Sequence, residues 1–191
     1  MEVSNIPPIN LGRRLRYLLR YPHGCIEQTT SSGFPQLYVS RLLDTDEETN
    51  TKIERNINAT ISRLKSFQVN SGGFAYWPGL SSANEWGSNY AGHFLAEAIA
   101  AGYSVPNELY SPWLDYQKEM ANSWTASSQS SSTTNQAYRL YTLVLANEAD
   151  FAAMNRLRVL PNLGKTASLI LAEAYYRYGL VEVANSIDTT L

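Results

Sequence analysis

Apolar residues recur three and four positions apart over most of the chain, which is the spacing of one helical face. Leu11, Leu15, Leu18 and Leu19 set a first helix over 11–21, ended by Pro22 and Gly24. A second runs over about 25–43, with Pro35 as a kink inside it. Acidic residues between Asp44 and Glu48 open a third, over 46–67, because carboxylates oppose the helix dipole at an N-terminus. Its apolar positions are Ile53, Ile57, Ile61, Leu64 and Phe67. Residues 70–88 lose this rhythm. They are rich in Gly, Ser and Asn, carry Phe74, Tyr76, Trp77, Pro78 and Trp86, and read as a long aromatic loop. Further helices are predicted over 89–101, 106–124, 135–147, 149–158, 164–178 and 180–188. Residues 127–134, seven Ser or Thr and one Gln, read as a flexible loop. Pro7 and Pro8 make residues 1–9 an extended lead-in. No strand-type alternation persists, so the predicted fold class is all-α.

Composition narrows the function classes. The chain has 191 residues, 15 Lys plus Arg against 17 Asp plus Glu, and a net charge of −2. That balance argues against a nucleic-acid module, which shows a basic surface. With 44% hydrophobic and 17% charged residues, the chain can bury a core and is one domain, 1–191. No apolar run is long enough to insert into a membrane. One cysteine allows no internal disulfide, and two histidines leave little for a metal site; no cofactor is implied.

An internal recurrence points to layered helices. Leu95-Ala96-Glu97-Ala98 returns as Leu171-Ala172-Glu173-Ala174, and a similar small-residue helix surrounds Leu143. Ala-rich helices alternate with more polar ones, the pattern of stacked hairpins with an inner and an outer layer. A tetratricopeptide-like solenoid would show a regular period, which is absent, whereas closed α/α barrels tolerate irregular spacing and long loops.

The chemistry concentrates around the one cysteine. Cys25 follows a Pro/Gly turn and opens a helix, where backbone amides favour a thiolate. Gln28 lies one turn on, on the same face. A thiolate beside a carboxamide can attack it, expel ammonia and close a thioester, an activated acyl group that lasts only while water is excluded.

Gly24-Cys25-Ile26-Glu27-Gln28-Thr29-Thr30 resembles the thioester motif of the alpha-2-macroglobulin and complement proteins. Preceded by Tyr21-Pro22-His23, its wording is nearest to the bacterial alpha-2-macroglobulins. Asn70-Ser71-Gly72-Gly73-Phe74 with Tyr76-Trp77-Pro78-Gly79 resembles a second signature of that domain, and the runs 136–141 and 154–157 read as family-like. The resemblance implies an α/α toroid, of which this chain is an incomplete fragment covering the N-terminal two thirds or so. It implies a bond between Cys25 and Gln28, supported by Glu27, Gly24, His23 and Tyr21. It further implies a parent of several domains that traps proteases covalently through their lysine amines. That parent is expected to be periplasmic and a membrane-anchored lipoprotein, its anchor outside this chain. Such a trap uses its bond once and is not an enzyme. Complement members that attack hydroxyl groups carry a histidine on a later helix; the corresponding stretch here, near 128–148, has none, which favours amines.

Other readings stand beside this one. His23, two residues from Cys25, suggests a Cys–His hydrolase, but neighbours that close rarely align as nucleophile and base. His93, mid-helix, reads as packing. Phe74, Tyr76, Trp77 and Trp86 suggest a sugar platform on a carbohydrate-active or lyase-type α/α barrel, although only Glu85 supplies a carboxylate in that loop. A helical protein-binding scaffold is the third reading. Asn58-Ala59-Thr60 is a glycosylation sequon in mid-helix. The Arg-rich start reads as a solvated face or a contact with a neighbouring domain.

Overall fold

The computed structural model describes residues 16–126, 130–161 and 163–187, and within them regular structure is helical. The expected lead-in over 1–9 and the start of the first helix lie outside these residues. A short 3-10 turn, Arg16–Leu18, is followed by non-helical chain to Gly24, so the helix expected through Tyr21 is absent from 19–21. Pro22 biases the residue before it out of the α region. The Arg20 carbonyl there accepts from Gln36 Nε2 at 2.9 Å instead of continuing a helix.

The helices are α1 (Ile26–Gly33), α2 (Gln36–Leu42), α3 (Glu47–Leu64), α4 (Glu85–Ala100), α5 (Asn107–Ser123), α6 (Ser130–Leu145), α7 (Phe151–Arg158), α8 (Lys165–Tyr178) and α9 (Val181–Ser186). The expected kink at Pro35 divides α1 from α2. Phe34 and Pro35 keep right-handed dihedrals, so the axis bends without reversing. Asp46 caps α3 by accepting from the Thr49 N–H at 2.8 Å, and Glu47 and Glu48 fill its first turn. Ile53, Ile57, Ile61 and Leu64 form its buried stripe.

Two starts differ from the sequence expectation. Helix α4 begins at Glu85, four residues before the expected 89, because Asn84 caps it by accepting from the Gly87 N–H at 2.7 Å. Gly87, Ser88 and Asn89 are weak helix formers, yet all three are buried in packing that overrides propensity. Helix α6 begins at Ser130, so 130–134 is helix rather than the expected loop, while 127–129 lie outside the described residues. That early turn is held: Trp124 Nε1 donates to Ser132 Oγ at 3.0 Å, and Asn89 Nδ2 donates to the Asn135 carbonyl at 3.0 Å.

Helices α1, α4, α6 and α8 pack side by side in succession, and α3, α5, α7 and α9 pack outside them. This is the two-layered arc of an α/α toroid, with the Ala-rich helices α4 and α8 and, between them, α6 on the inner layer. One apolar core joins Ile26 and the α3 stripe to Phe94, Leu95 and Trp113. A second joins α6 to α8 through Leu140, Leu143, Met154 and Leu171. Polar side chains tie α4, α5 and α6 together. Arg139, 1% exposed, donates to Gln117 Oε1 at 3.2 Å, and Gln117 Nε2 donates to Asn89 Oδ1 at 3.0 Å. A charge that buried requires such partners. No described helix is long and apolar enough to cross a membrane.

Candidate functional site

The site is the first turn of α1. Gly24 holds φ +85°, a conformation that side-chain-bearing residues avoid, and this turns the chain into the helix. Cys25 is then the N-cap, a free thiol only 3% exposed. Gln28 folds back toward the helix start, where its Oε1 accepts from the Cys25 N–H at 3.1 Å. A Cβ on Gly24 would sit 2.0 Å from that oxygen and 2.9 Å from Gln28 Cδ, so the carboxamide fills the space the glycine leaves. Thiol and carboxamide thus share one turn. The carboxamide oxygen already rests on an N–H donor, and Gln28 is exposed on its outer side. An open depression of about 380 Å³ adjoins Gln28, lined by Tyr17, Arg20, His23, Ser31 and Ser32 among others.

Three elements brace this turn. Arg63 on α3 donates through Nη2 to the Gly24 carbonyl at 3.1 Å and through Nε to Thr29 Oγ1 at 3.2 Å. Thr29 Oγ1 in turn donates to the His23 carbonyl at 3.4 Å. The aromatic loop contributes Tyr76, whose carbonyl accepts from the Ile26 N–H at 3.1 Å and whose hydroxyl donates to Glu27 Oε2 at 3.0 Å. Hydrogen bonding to Cys25, then to Glu27, and the negative charge of both push the Tyr76 hydroxyl up to about 12. Helix α4 closes in through Gly87, where a Cβ would meet Ile26 Cγ2 at 2.7 Å.

Of the residues singled out from sequence, Gly24, Cys25, Glu27 and Gln28 converge on this turn. Tyr21 is exposed, and its carbonyl receives the exposed His23 ring, with Nδ1 at 2.9 Å. Sequence reasoning missed Arg63 and the part played by Tyr76. Arg63 sits between Ile61 and Leu64 like any solvated charge, and nothing local marks it. Tyr76 was visible only as one aromatic among several. Those aromatics do not form one platform. Phe74 is fully buried, Tyr76 meets Trp77 edge-on, and Trp86 lies against Tyr90 and Tyr138. Glu85 is engaged by Asn135 Nδ2 at 3.3 Å and by Arg139 Nη2 at 3.8 Å.

His93 occupies a different place. Its ring packs edge-on against Phe34, Tyr138 and Tyr141, with Nδ1 3.0 Å from the Tyr138 hydroxyl and Nε2 3.8 Å from Glu97. Burial outweighs the Glu97 charge and lowers its pKa to about 4. Phe34 lies beyond the far end of α1, nine residues from Cys25, or about 13 Å of helical rise. Among the described residues no group of three or more His, Cys, Asp or Glu could hold a metal ion.

Known proteins share both the sequence and the arrangement. The profile of the A-macroglobulin TED domain matches residues 8–139. Alpha-2-macroglobulin of Escherichia coli K12 is 36% identical over 110 residues, covering 56% of this chain and 7% of that protein. Alpha-2-macroglobulin of Xylella fastidiosa Temecula1 is 28% identical over 167 residues, covering 82% of this chain and 10% of that protein. A crystal structure of Salmonella alpha-2-macroglobulin superposes with a TM-score of 0.80 at 27% identity, covering 96% of this chain and 13% of that one. The chain therefore spans a small part of the relatives it matches. With residues 8–139 of 191 inside the family profile, the chain belongs to the A-macroglobulin TED domain family.

Proposed function

We propose that this domain carries an internal thioester between Cys25 Sγ and Gln28 Cδ and serves a larger bacterial protease inhibitor as its covalent trap. The observation that carries the reading is the Gln28 carboxamide folded over Gly24 with its oxygen on the Cys25 N–H. That N–H points at the atom where negative charge develops when the thiolate attacks Cδ, which is how an oxyanion donor works. Attack forms the S–C bond, the C–N bond breaks, and ammonia departs with the proton the thiol gave up. The Salmonella relative was solved after reaction with methylamine, and the E. coli relative after activation by trypsin and by porcine elastase. Both support an amine-reactive bond used against proteases.

In this reading a protease lysine amine reaches Gln28 from its exposed side. The new N–C bond forms an amide and releases Cys25 as a thiol. The bond is spent in one event, so the domain is a trap and not an enzyme. Nucleophile choice follows from the histidines. The chain has only two. The His23 ring is tied to the Tyr21 carbonyl, and His93 sits beyond the opposite end of α1. Amines attack a thioester without a base, whereas hydroxyl groups need one. Exposed Tyr21 and the open side of Gln28 call for cover from other domains of the parent before activation. We assign the parent to the periplasm, held there as a lipid-anchored protein.

The test incubates a full-length parent with trypsin, denatures it, and compares gels with and without hydroxylamine at mildly alkaline pH. A high-mass adduct that survives hydroxylamine and is lost in Cys25→Ala is the expected result. An adduct cleaved by hydroxylamine is an ester and overturns the amine preference. An adduct that persists in Cys25→Ala overturns the thioester.

A further inference from the structure

The N–H that holds the Gln28 carboxamide belongs to the peptide group joining Gly24 to Cys25, and both ends of that group are engaged. Its N–H donates to Gln28 Oε1 at 3.1 Å. Its carbonyl, that of Gly24, accepts from Arg63 Nη2 at 3.1 Å. One hydrogen-bonded chain therefore runs from the Arg63 guanidinium through a single peptide to the carboxamide oxygen. The guanidinium is fixed in that place: Nε donates to Thr29 Oγ1 at 3.2 Å, and its central carbon lies 5.6 Å from the centroid of the buried Phe67 ring. Among the described residues no carboxylate pairs with Arg63. A brace alone would need only two neutral donors. Arg63 brings a permanent charge, placed on the carbonyl of the one peptide whose N–H meets the reacting group.

We propose that Arg63 is a positioning residue for the thioester chemistry: its guanidinium polarises the peptide between Gly24 and Cys25 and so strengthens the Cys25 N–H as donor to the Gln28 oxygen. The proposal rests on the thioester reading for its use in trapping. A charged donor on a carbonyl draws electron density away from the amide nitrogen, which makes that N–H the better donor. The gain counts most where negative charge develops on Oε1. On opening, the amine nitrogen bonds to Gln28 Cδ and an electron pair moves onto Oε1, where the N–H meets it. Collapse restores the C–O double bond, breaks the C–S bond and sends that bond's electron pair to Sγ. The proton shed by the nitrogen reaches the thiol through water. Closure passes through the same oxyanion, with ammonia as the leaving group. Arg63 touches none of the reacting atoms and acts through the peptide.

Losing an oxyanion donor outright slows acyl transfer by about a hundred- to a thousandfold. A hydrogen bond earlier in a chain strengthens the next by about 10–30%. On the logarithmic scale, that share of the full loss is about two- to eightfold in rate. Polarisation depends on charge, whereas bracing depends on the number of donors, and substitution separates the two. Arg63→Met removes charge and donors together. Arg63→Gln keeps a neutral donor, and Arg63→Lys keeps the charge on a single one, which does not span both acceptors.

The experiment has two arms, each with thermal melting of every variant. In a full-length parent, thiol release by methylamine is timed at one pH. Arg63→Met and Arg63→Gln should be slower by about two- to eightfold, while Arg63→Lys recovers most of the rate although it recovers less than half of the melting temperature. Rates that follow melting temperature across the series, rates that rise or stay unchanged, or a folded variant that never closes its thioester would overturn the proposal, since lost polarisation only slows these steps. In the 191-residue chain, the Cys25 amide proton is followed by nuclear magnetic resonance. It should move upfield in Arg63→Met and Arg63→Gln and stay near its place in Arg63→Lys; an unmoved resonance in all three overturns the proposal. Arg63→Gln and Arg63→Lys each keep one donor and differ in charge, so that pair decides even where Arg63→Met does not fold. The second arm needs no thioester. The expected upfield shift, together with no ammonia loss in the full-length parent, would overturn the thioester reading and leave the polarised peptide standing.

Discussion

Gly24→Ala separates backbone strain from the contact that folds the Gln28 carboxamide over the turn. Gly24 and Gly79 both hold φ +85°, but a Cβ at Gly79 meets nothing within 4 Å, whereas one at Gly24 meets Gln28 Oε1 at 2.0 Å. A non-glycine residue in this region costs about 1–2 kcal/mol, a cost the two alanine variants share. The Gly24 variant must also push the Gln28 side chain aside. That side chain is flexible and exposed, so the clash relaxes at the expense of the hydrogen bond to the Cys25 N–H, about 1 kcal/mol. Gly24→Ala should therefore melt only about 2–4 °C below Gly79→Ala. Its effect on closure should be far larger, because displacing a reacting group by about 1 Å costs on the order of a hundredfold in rate. The assay pairs thermal melting with the mass of the peptide carrying Cys25 and Gln28 in a full-length parent. Gly79→Ala should close its thioester normally and Gly24→Ala should not. Equal closure in both variants, or equal failure, would refute the claim that the missing Cβ is what seats the carboxamide.

Two further outcomes follow from the braces around the site and from the buried histidine. Arg63→Met removes the donors to Gly24 and Thr29 and should cost about 2–3 kcal/mol in melting experiments; Arg63→Lys should recover less than half, since one ammonium does not span both acceptors. His93 is held neutral with its pKa lowered to about 4, among Phe34, Glu97, Tyr138, Tyr141 and Arg177. The unfolded chain binds its proton below about 6.5, so the stability His93 contributes is complete above that pH. It drains away as pH falls toward 4, by up to about 3 kcal/mol. His93→Gln should flatten the melting temperature between pH 6.5 and 4, and an unchanged slope would contradict the assignment.

What could be read from the sequence was local. The α3 stripe at Ile53, Ile57, Ile61 and Leu64 and the acidic first turn are set by neighbours within a few residues, and they stand where the spacing put them. Cys25 and Gln28 are likewise three residues apart on one turn. The early start of α4 was hidden because Gly87, Ser88 and Asn89 read as loop, and their burial depends on Ile26, Trp113 and Gln117 far along the chain. The Ser/Thr-rich start of α6 was hidden in the same way. Arg63 and Tyr76 reach the site from 39 and 49 residues away, through contacts that no spacing rule encodes.

The thioester itself is tested most directly by the intact mass of the peptide spanning Gly24 to Thr30, isolated from a full-length parent without prior exposure to amines. The expected peptide is short in mass by one ammonia and takes up one methylamine at Gln28 with release of one titratable thiol at Cys25, and Cys25→Ala shows neither change. A peptide of unmodified mass that takes up no methylamine would contradict it.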